Sequence, residues 1–508
     1  MIEKNYSNSF SAYTHENGGR VALLFLLFLV AIYQLINSGF NAFAIVCMLP
    51  VAALALIIAF KHKMFTFWTL FVVNYSVMFL SRYEMMPVPT SVPTEMMEVL
   101  LLAIAIIDMK MLHFERIANV MFLSLIVWCL YCTLEVLNNT CGLGIDPGAW
   151  FMGARLMAFQ LMYAFLICSI YIHDSKRIHQ FFIAWAALSL FAAFWAWKQK
   201  NIGFTDMENK WLVVAGRTHF VNGIIRYFSV FSDAANFGCH MAAAAVAFYI
   251  IAITTKIRRH RIFFLISGIL SMWAMFSSGT RTALFCFILG VCAYIVLSKS
   301  FKIAIPVTIA GALFVCFLAF TTIGNGNNMI RRMRSGFNKN DASASTRDVN
   351  KASIRKYIQD APWGIGIGNG YDKVPANNKY RKLSTIPPDS EYVFIWVHTG
   401  IIGLVVFLIT TMAMWLGACC IVFFRLKNRS LQGMGAALCC SFIAIQLGGY
   451  GNQILMQFPN VLIFYGGLSL VYIMPHIEAE YNIYEAKLIA EQEERKRIKL
   501  EKKRAARV

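Results

Sequence analysis

Apolar stretches of about 17–25 residues, the length that carries a helix across about 30 Å of hydrocarbon, recur along almost the whole chain. Hydrophobic residues make up 58% of the 508 residues and charged residues 14%, a composition far from that of a soluble globular domain. The stretches lie near residues 21–37, 40–60, 64–81, 94–108, 117–137, 151–172, 178–197, 233–255, 262–278, 282–298, 303–323, 400–424, 433–453 and 460–475. They predict an all-α integral membrane protein with about fourteen transmembrane helices.

Clusters of basic residues alternate regularly with these stretches. Each cluster lies between an even-numbered stretch and the next odd-numbered one, at residues 61–63, 110–116, 176–177, 256–261, 299–302 and 425–429. Because lysine and arginine favour cytoplasmic loops, the pattern predicts that these loops and both termini are cytoplasmic. The formal net charge of +20 is then mainly a consequence of topology, and we expect no nucleic-acid partner.

The loop at residues 324–399 is predicted to lie on the opposite, extracytoplasmic side, although it contains 12 Lys or Arg against 6 Asp or Glu. Basic residues are normally scarce there, so the excess suggests a polyanionic ligand. A loop of this length is expected to fold into a subdomain that covers the helical bundle. Within it, Thr346 to Asp360 is predicted to form an amphipathic helix with Val349, Ile354 and Ile358 on its apolar face.

These patterns divide the chain into five predicted segments. They are a cytoplasmic N-terminal segment (1–20), a bundle of about 11 helices (21–323), the large extracytoplasmic loop (324–399), about three further helices (400–476) and a basic cytoplasmic tail (477–508) that we expect to be solvated near anionic lipid.

Three arginines, Arg155, Arg226 and Arg281, are predicted to lie near the outer membrane surface. Each alone could extend its side chain to lipid headgroups, but three at one face beneath a basic loop favour a function. Guanidinium groups bind phosphate oxygens in bidentate geometry, and a cluster of them suits a diphosphate, either bound or departing as a leaving group. The sequence suggests no acidic cluster for a divalent metal on this face, so we expect no metal or other cofactor.

A glycine-rich run, Pro362-Trp-Gly364-Ile-Gly366-Ile-Gly368-Asn369-Gly370, superficially suggests dinucleotide binding. It does not follow a βαβ unit, and it would lie outside the cell's nucleotide pools. A turn in which glycines allow close backbone approach is the better interpretation.

Four motifs resemble those of the O-antigen polymerase and O-antigen ligase superfamily, over roughly residues 215–425. They are Arg226…Phe231-Ser-Asp233-Ala-Ala-Asn236, Ser278-Gly279-Thr280-Arg281-Thr-Ala, Pro362-Trp-Gly364-Ile-Gly366-Ile-Gly368-Asn369 and Pro387-Pro-Asp389-Ser390-Glu-Tyr392…Thr399-Gly400-Ile-Ile-Gly403-Leu. The resemblance implies a polytopic glycosyltransferase of the bacterial inner membrane with a periplasmic active site. It also implies a polyprenyl-diphosphate-linked glycan as donor, arginines that engage the diphosphate, and membrane lipid and a chain-length regulator as partners.

The resemblance leaves the reaction open between polymerisation of repeat units and transfer of the glycan to lipid A-core by a ligase. Ligases typically have a histidine in a Pro-His-Asn type segment, whereas this chain has Asp389-Ser390 there, which favours a polymerase. Asp389, His398 or His219 could then serve as the base. A flippase or transporter is the more distant alternative, but such proteins usually place charged sites near the bilayer midplane, where few charges occur here.

The predicted site residues fall into two groups. The candidate catalytic residues are Arg226, Arg281, Asp389, His398 and His219, and the candidate substrate-binding residues are Arg155, Arg217, Asp233, Asn236, Arg347, Arg355 and Asn369.

Overall fold

The structure is a computed structural model that describes residues 18–83, 89–109, 112–216, 219–221, 224–337, 342–370 and 373–505. Its described part is predominantly helical and divides into two compact units between Trp68 and Thr69. The first unit contains helices α1 (Gly18–Ser38) and α2 (Phe40–Lys61), which pack against each other, and the start of α3 (Lys63–Arg82).

The second unit contains the remaining elements. Its helices are α4 (Val92–Ile107), α5 (Phe114–Ile117), α6 (Val120–Leu134), α7 (Pro147–Ala154), α8 (Gln160–Tyr171), α9 (Ser175–Asn201), α10 (Asp206–Ala215), α11 (Ala234–Thr254), α12 (Arg258–Ser277), α13 (Arg281–Leu297), α14 (Phe301–Phe320), α15 (Asn328–Arg334), α16 (Ala342–Ile358), α17 (Arg381–Thr385), α18 (Glu391–Cys420), α19 (Arg429–Gly451) and α20 (Gly466–Ala505). Short 3-10 or π-helical turns occupy Glu135–Leu137, Arg155–Phe159, Ser335–Phe337, Ile421–Arg425 and Val461–Tyr465. A small antiparallel ribbon pairs β1 (Phe220–Val221) with β2 (Ile224–Ile225).

Each of the fourteen predicted stretches falls on a helix. Within the described residues, ten helical stretches are long and apolar enough to cross a membrane, namely Gly18–Asn37, Lys63–Arg82, Val120–Leu137, Pro147–Tyr171, Ser175–Asn201, Ala234–Thr254, Arg258–Ser277, Glu391–Arg425, Arg429–Gly451 and Val461–Ile498. Arg281–Leu297 and Ile305–Phe320 are shorter apolar helices. A helical, multi-pass membrane protein is therefore confirmed, while the number fourteen and the cytoplasmic side of the termini stay predictions.

The centre of the second unit is α11, which packs against α12, α13 and α19. Its alanine run Ala242–Ala245 is fully buried. Glycines on the neighbouring helices allow close approach, since a Cβ at Gly433 would lie 2.0 Å from Oγ1 of Thr254, and one at Gly290 would lie 2.9 Å from Cγ2 of Val246. Because α11 and α13 both begin at the same end of the bundle, the residues that start them are brought together.

The segment at residues 324–390, here called the cap, lies between α14 and α18. The predicted amphipathic helix is present as α16, and its Ile354 and Ile358 pack in a buried cluster with residues such as Leu383 and Val397. Val349 was expected on the same apolar face but is 62% exposed, because only the second half of α16 reaches that cluster.

α18 begins at Glu391, well before the predicted start of the span at residue 400. It bends at Gly400, whose φ of 67° is not helical. The polar residues before this bend belong to the helix rather than to the preceding loop.

The predicted solvated tail is wrong in its first part, because α20 runs without interruption across the boundary at residue 477. Its side chains bind the exposed backbone N–H groups at the starts of three other helices. Glu480 accepts from Ser175 at 3.1 Å, Glu478 from Asn428 at 2.5 Å, and Gln492 from Arg258 at 2.8 Å. This part of α20 therefore fastens α9, α19 and α12 at the end of the bundle where α11 finishes.

Candidate functional site

A cavity of about 510 Å³ lies at the end of the bundle where α11 and α13 begin. Four segments surround it: the ribbon before α11, the turn between α12 and α13, the cap, and the connection after α19. It is lined by His219, Arg226, Asp233, Ala234, Ala235, Gly279, Thr280, Arg281, Thr282, Arg332, Arg347, Asp389, Asn452, Gln453 and Gln457. Its lining thus combines four guanidinium groups with two carboxylates, so it has an excess of positive charge.

Arg226 follows the ribbon and is held by the turn between α12 and α13. Its NH2 donates to Oγ1 of Thr280 at 2.8 Å, and its Nε donates to the carbonyl of Ser278 at 3.4 Å. Burial lowers the pKa of Arg226 from 12.5 to about 10, with a further contribution from nearby Arg332 that Asp233 partly opposes. Arg226 is therefore still protonated at neutral pH, in a site where its charge is only weakly screened by solvent.

The same turn holds a second arginine, Arg332 of α15. Nε of Arg332 donates to the carbonyl of Gly279 at 3.3 Å, and its side chain is 9% exposed. Gly279 has a φ of 60°, and a Cβ there would lie 3.2 Å from Cγ of Arg226. A glycine at this position therefore permits both the left-handed turn and the close approach of Arg226.

The other two arginines reach the cavity from different directions. Arg281 is the first residue of α13, and its NH1 lies 3.5 Å from the carbonyl of Ser335. Arg347 extends from α16 and donates to Oδ1 of Asn452 at 3.3 Å. The amide of Asn452 in turn lies 3.4 Å from Oγ1 of Thr282, so the cap is linked to the start of α13.

The two carboxylates have different local roles. Asp233 caps α11, since its Oδ1 accepts from the backbone N–H groups of Ala235 at 2.7 Å and Asn236 at 3.0 Å. Asp389 lies on the loop before α18, and its Oδ2 accepts from the amide of Asn350 at 2.8 Å. This bond orients the Asp389 carboxylate at the cavity wall.

The loop that carries Asp389 is fastened on both sides. The amide of Gln453 donates to the carbonyl of Pro388, and the hydroxyl of Ser390 donates to the carbonyl of Gly449 at 3.1 Å. Both bonds join this loop to α19 and the connection after it, so the position of Asp389 depends on a segment far away in the sequence.

His219 lines the cavity, but its Nε2 accepts from the backbone N–H of Ala234 at 3.3 Å. Its ring is enclosed by Trp211 and Phe228, each with its ring centroid 5.2 Å away. Burial, and next the charge of Arg226, lowers the pKa of His219 from 6.5 to about 4. A neutral ring whose lone pair faces the start of α11 suits a structural acceptor better than a base.

Three other predicted site residues lie outside the cavity lining. The buried ring of His398 lies beside the glycine-rich segment, with Nδ1 3.1 Å from the carbonyl of Gly366. Asn369 donates to the carbonyl of Ile365 at 2.6 Å, and buried Asn236 accepts from the amide of Asn460 at 2.7 Å. These residues hold neighbouring segments together.

The predicted arginines are only partly brought together. Arg155 forms an ion pair with Glu95 at 2.6 Å and is not among the cavity residues. Arg355 is exposed on α16 and does not line the cavity either. Arg217 lies outside the described residues.

The glycine-rich segment makes the close backbone approach that its composition predicts. A Cβ at Gly364 would lie 2.5 Å from the backbone nitrogen of Gly400, and one at Gly368 would lie 2.9 Å from that of Trp150. The segment therefore packs directly against α18 and α7, which confirms the interpretation as a close-packed turn.

Four cavity residues were not predicted: Arg332, Asn452, Gln453 and Gln457. Arg332 belongs to the Arg331-Arg332-Met-Arg334 run that opens the basic loop. The other three lie in a short polar connection between two apolar helices, and this contrast is the signal that could have identified them.

Residues 266–408 match the sequence model of a family described as O-antigen ligase. The matched region extends from α12 through the cap into α18, and it contains Arg281, Arg332, Arg347 and Asp389, whereas Arg226 precedes it. The comparison with curated proteins gave no match. The family match confirms the resemblance to the O-antigen ligase and polymerase superfamily, and it indicates a glycosyltransferase-like enzyme of that type.

Proposed function

We propose that the protein is a membrane glycosyltransferase that polymerises polyprenyl-diphosphate-linked oligosaccharide repeat units into a surface polysaccharide, and that the arginine-lined cavity binds the diphosphate of the donor. The observation that supports this most directly is the convergence of Arg226, Arg281, Arg332 and Arg347 on one cavity. Planar guanidinium groups pair with phosphate oxygens in bidentate geometry and stay charged at working pH.

In the proposed reaction, the hydroxyl oxygen of the acceptor sugar attacks the anomeric carbon of the donor. The bond from that carbon to the diphosphate oxygen breaks, and polyprenyl diphosphate leaves with the electron pair. The arginines stabilise the negative charge that develops on the leaving group. Asp389 accepts the hydroxyl proton, a role supported by its place in the cavity wall and by the amide of Asn350 that orients it.

The cavity is proposed to face the periplasm of a bacterial inner membrane. This side is supported by the basic clusters at residues 256–261 and 425–429, which lie at the opposite end of α12 and α19 from the cavity. Lysine and arginine in short loops favour the cytoplasm. The same placement disfavours the transporter alternative, because the charged groups gather at helix ends rather than near mid-membrane.

The second candidate function is that of an O-antigen ligase, which would transfer the glycan from polyprenyl diphosphate to lipid A-core. The description of the matched family favours it. The occurrence of Asp389-Ser390 where ligases typically have a histidine favours the polymerase.

Deleting the gene and analysing the surface glycan tests both functions. A single repeat unit left on the core supports the polymerase, whereas accumulation of long lipid-linked polymer supports the ligase. An unchanged glycan would rule out both assignments.

A further inference from the structure

Two apolar cavities lie next to the arginine-lined cavity, between α12, α13 and α14. The first, here called the upper pocket, has a volume of about 290 Å³ and is lined by Lys200, Trp273, Phe276, Phe314, Phe317, Leu318, Asn327, Met329 and Ile330. The second, here called the lower groove, has a volume of about 350 Å³ and is lined by Val246, Tyr249, Ile250, Ile253, Met272, Phe287, Val291, Tyr294, Val307, Ala310, Gly311 and Phe314. No charged side chain lies among the described residues that line the lower groove.

The upper pocket adjoins the arginine-lined cavity through two segments. Phe276 immediately precedes the turn that holds Arg226, and Ile330 lies on α15 just before Arg332. Met333, the neighbour of Arg332, is fully buried in an apolar cluster with Leu284 and Leu318. The helix that carries a cavity arginine therefore also forms part of the apolar wall.

Phe314 lines both apolar cavities and lies between them. Its ring makes edge contacts with Phe276 and Phe287, each at a centroid distance of 6.3 Å and with interplanar angles of 74° and 69°. One turn away, a Cβ at Gly311 would meet nothing within 4 Å, so the groove is open there. A rotation of the Phe314 side chain would join the upper pocket to the lower groove.

The length of the combined path fits a lipid chain in one leaflet. From Leu318 to Val307 the path follows α14 for roughly 16 Å, at about 1.5 Å per residue. This is about half of the roughly 30 Å of hydrocarbon in a bilayer.

We infer that the upper pocket and the lower groove form a track for the polyprenyl chain of the donor, whose diphosphate lies in the arginine-lined cavity. This inference rests on the proposed function. A polyprenyl diphosphate is favoured over a phospholipid because the apolar path ends at four guanidinium groups, and a diphosphate offers them more oxygens than the single phosphate of a phospholipid.

A tryptophan in the open part of the groove tests the track. Gly311→Trp fills the groove, and Leu313→Trp is the matched control, because Leu313 lies on the same helix, is 66% exposed and does not line the groove. The full-length protein in lipid nanodiscs is assayed with two repeat-unit donors, one carrying the full-length polyprenyl chain and one carrying a geranyl chain.

Relative to the unsubstituted protein, Gly311→Trp should slow transfer from the full-length donor by about tenfold or more, because binding energy from the remote chain is lost. It should leave transfer from the geranyl donor unchanged, and Leu313→Trp should leave both unchanged. Equal activity of Gly311→Trp and the unsubstituted protein on the full-length donor would overturn the track.

A labelling experiment keeps this inference separate from the proposed activity. A polyprenyl diphosphate with a diazirine in its chain should label peptides of α12, α13 and α14, and Gly311→Trp should reduce this labelling. If a diazirine-bearing phosphatidylglycerol labels the same peptides and excess polyprenyl diphosphate does not compete, the groove holds phospholipid and the track is wrong. Transfer from neither donor by the unsubstituted protein would instead contradict the proposed function, while the labelling result would still decide about the track.

Discussion

The guanidinium groups of Arg226 and Arg332 come from distant parts of the chain and are held by the same turn, Ser278–Thr280. Two like charges at this separation from bulk water repel each other, and the pKa of Arg226 is lowered by burial and by Arg332. An anion between them would remove that repulsion. The turn therefore prepares a cationic site before its ligand arrives.

Replacing Arg281 with alanine should abolish long-chain surface glycan while the protein level in membranes stays normal. Loss of one group that stabilises a departing diphosphate is expected to cost roughly a factor of 10²–10³ in rate. Glycan chain length on a gel and an immunoblot of membranes measure the two effects. Arg355→Ala is the matched control, since Arg355 is exposed on the cap and does not line the cavity. A normal glycan ladder in Arg281→Ala would contradict the assignment.

Arg332→Ala should weaken the binding of inorganic pyrophosphate as well as activity. Pyrophosphate should raise the melting temperature of the purified protein, because a ligand that binds the folded state stabilises it. We expect a clearly smaller shift for Arg332→Ala and an undiminished shift for Arg331→Ala, its exposed neighbour outside the cavity. Equal shifts in both variants would show that Arg332 does not contact the anion.

Gly279→Ala should reduce both activity and stability. Its left-handed φ of 60° is unfavourable for alanine, at a cost on the order of 1–3 kcal/mol. The added Cβ would also press on Cγ of Arg226. Melting temperature and transferase activity measure the effect, with Gly326→Ala as control because a Cβ at Gly326 meets nothing within 4 Å. Unchanged activity in Gly279→Ala would mean that the exact position of Arg226 is unimportant.

Asp389→Asn should lower the rate of transfer by roughly 10²–10⁴, the range expected for loss of a general base. Binding of inorganic pyrophosphate should persist, since the arginines remain. Asp348→Asn, at an exposed position on α16 outside the cavity, is the control and should behave like the unsubstituted protein. Full activity of Asp389→Asn would exclude Asp389 as the base and leave that role to another group.

The stability of the protein should fall in mildly acidic solution partly because of His219. Its pKa in the folded state is lowered to about 4, below the usual value of 6.5 expected in the unfolded chain. Between these two values the unfolded state binds a proton that the folded state does not, so the contribution of His219 is complete above about pH 6.5 and is lost as the pH falls toward 4.

Melting temperatures at pH 7 and pH 5 test this linkage. His219→Asn should show a smaller fall between the two values than the unsubstituted protein, whereas His113→Asn, at an exposed position, should show the same fall. An identical fall in His219→Asn would refute the linkage.

The cavity was only partly predictable from the sequence. Arg226, Arg281 and Asp389 were predicted from motifs that the chain displays locally, and all three line the cavity. Arg332 was not selected, because nothing local distinguishes it from Arg331 and Arg334 in the same basic run. His398 was selected for its position near a motif, but α18 turns it toward the glycine-rich segment.

The sequence by itself determined the membrane class, the helical content and the presence of a basic loop, since these follow from composition and from the period of apolar stretches. Only the tertiary structure decided which polar residues meet. The bonds that assemble the cavity, from Arg332 to Gly279 and from Arg347 to Asn452, join segments far apart in the chain. Their partners depend on how α11, α13 and α19 pack together, and that packing has no signature in any single stretch of sequence.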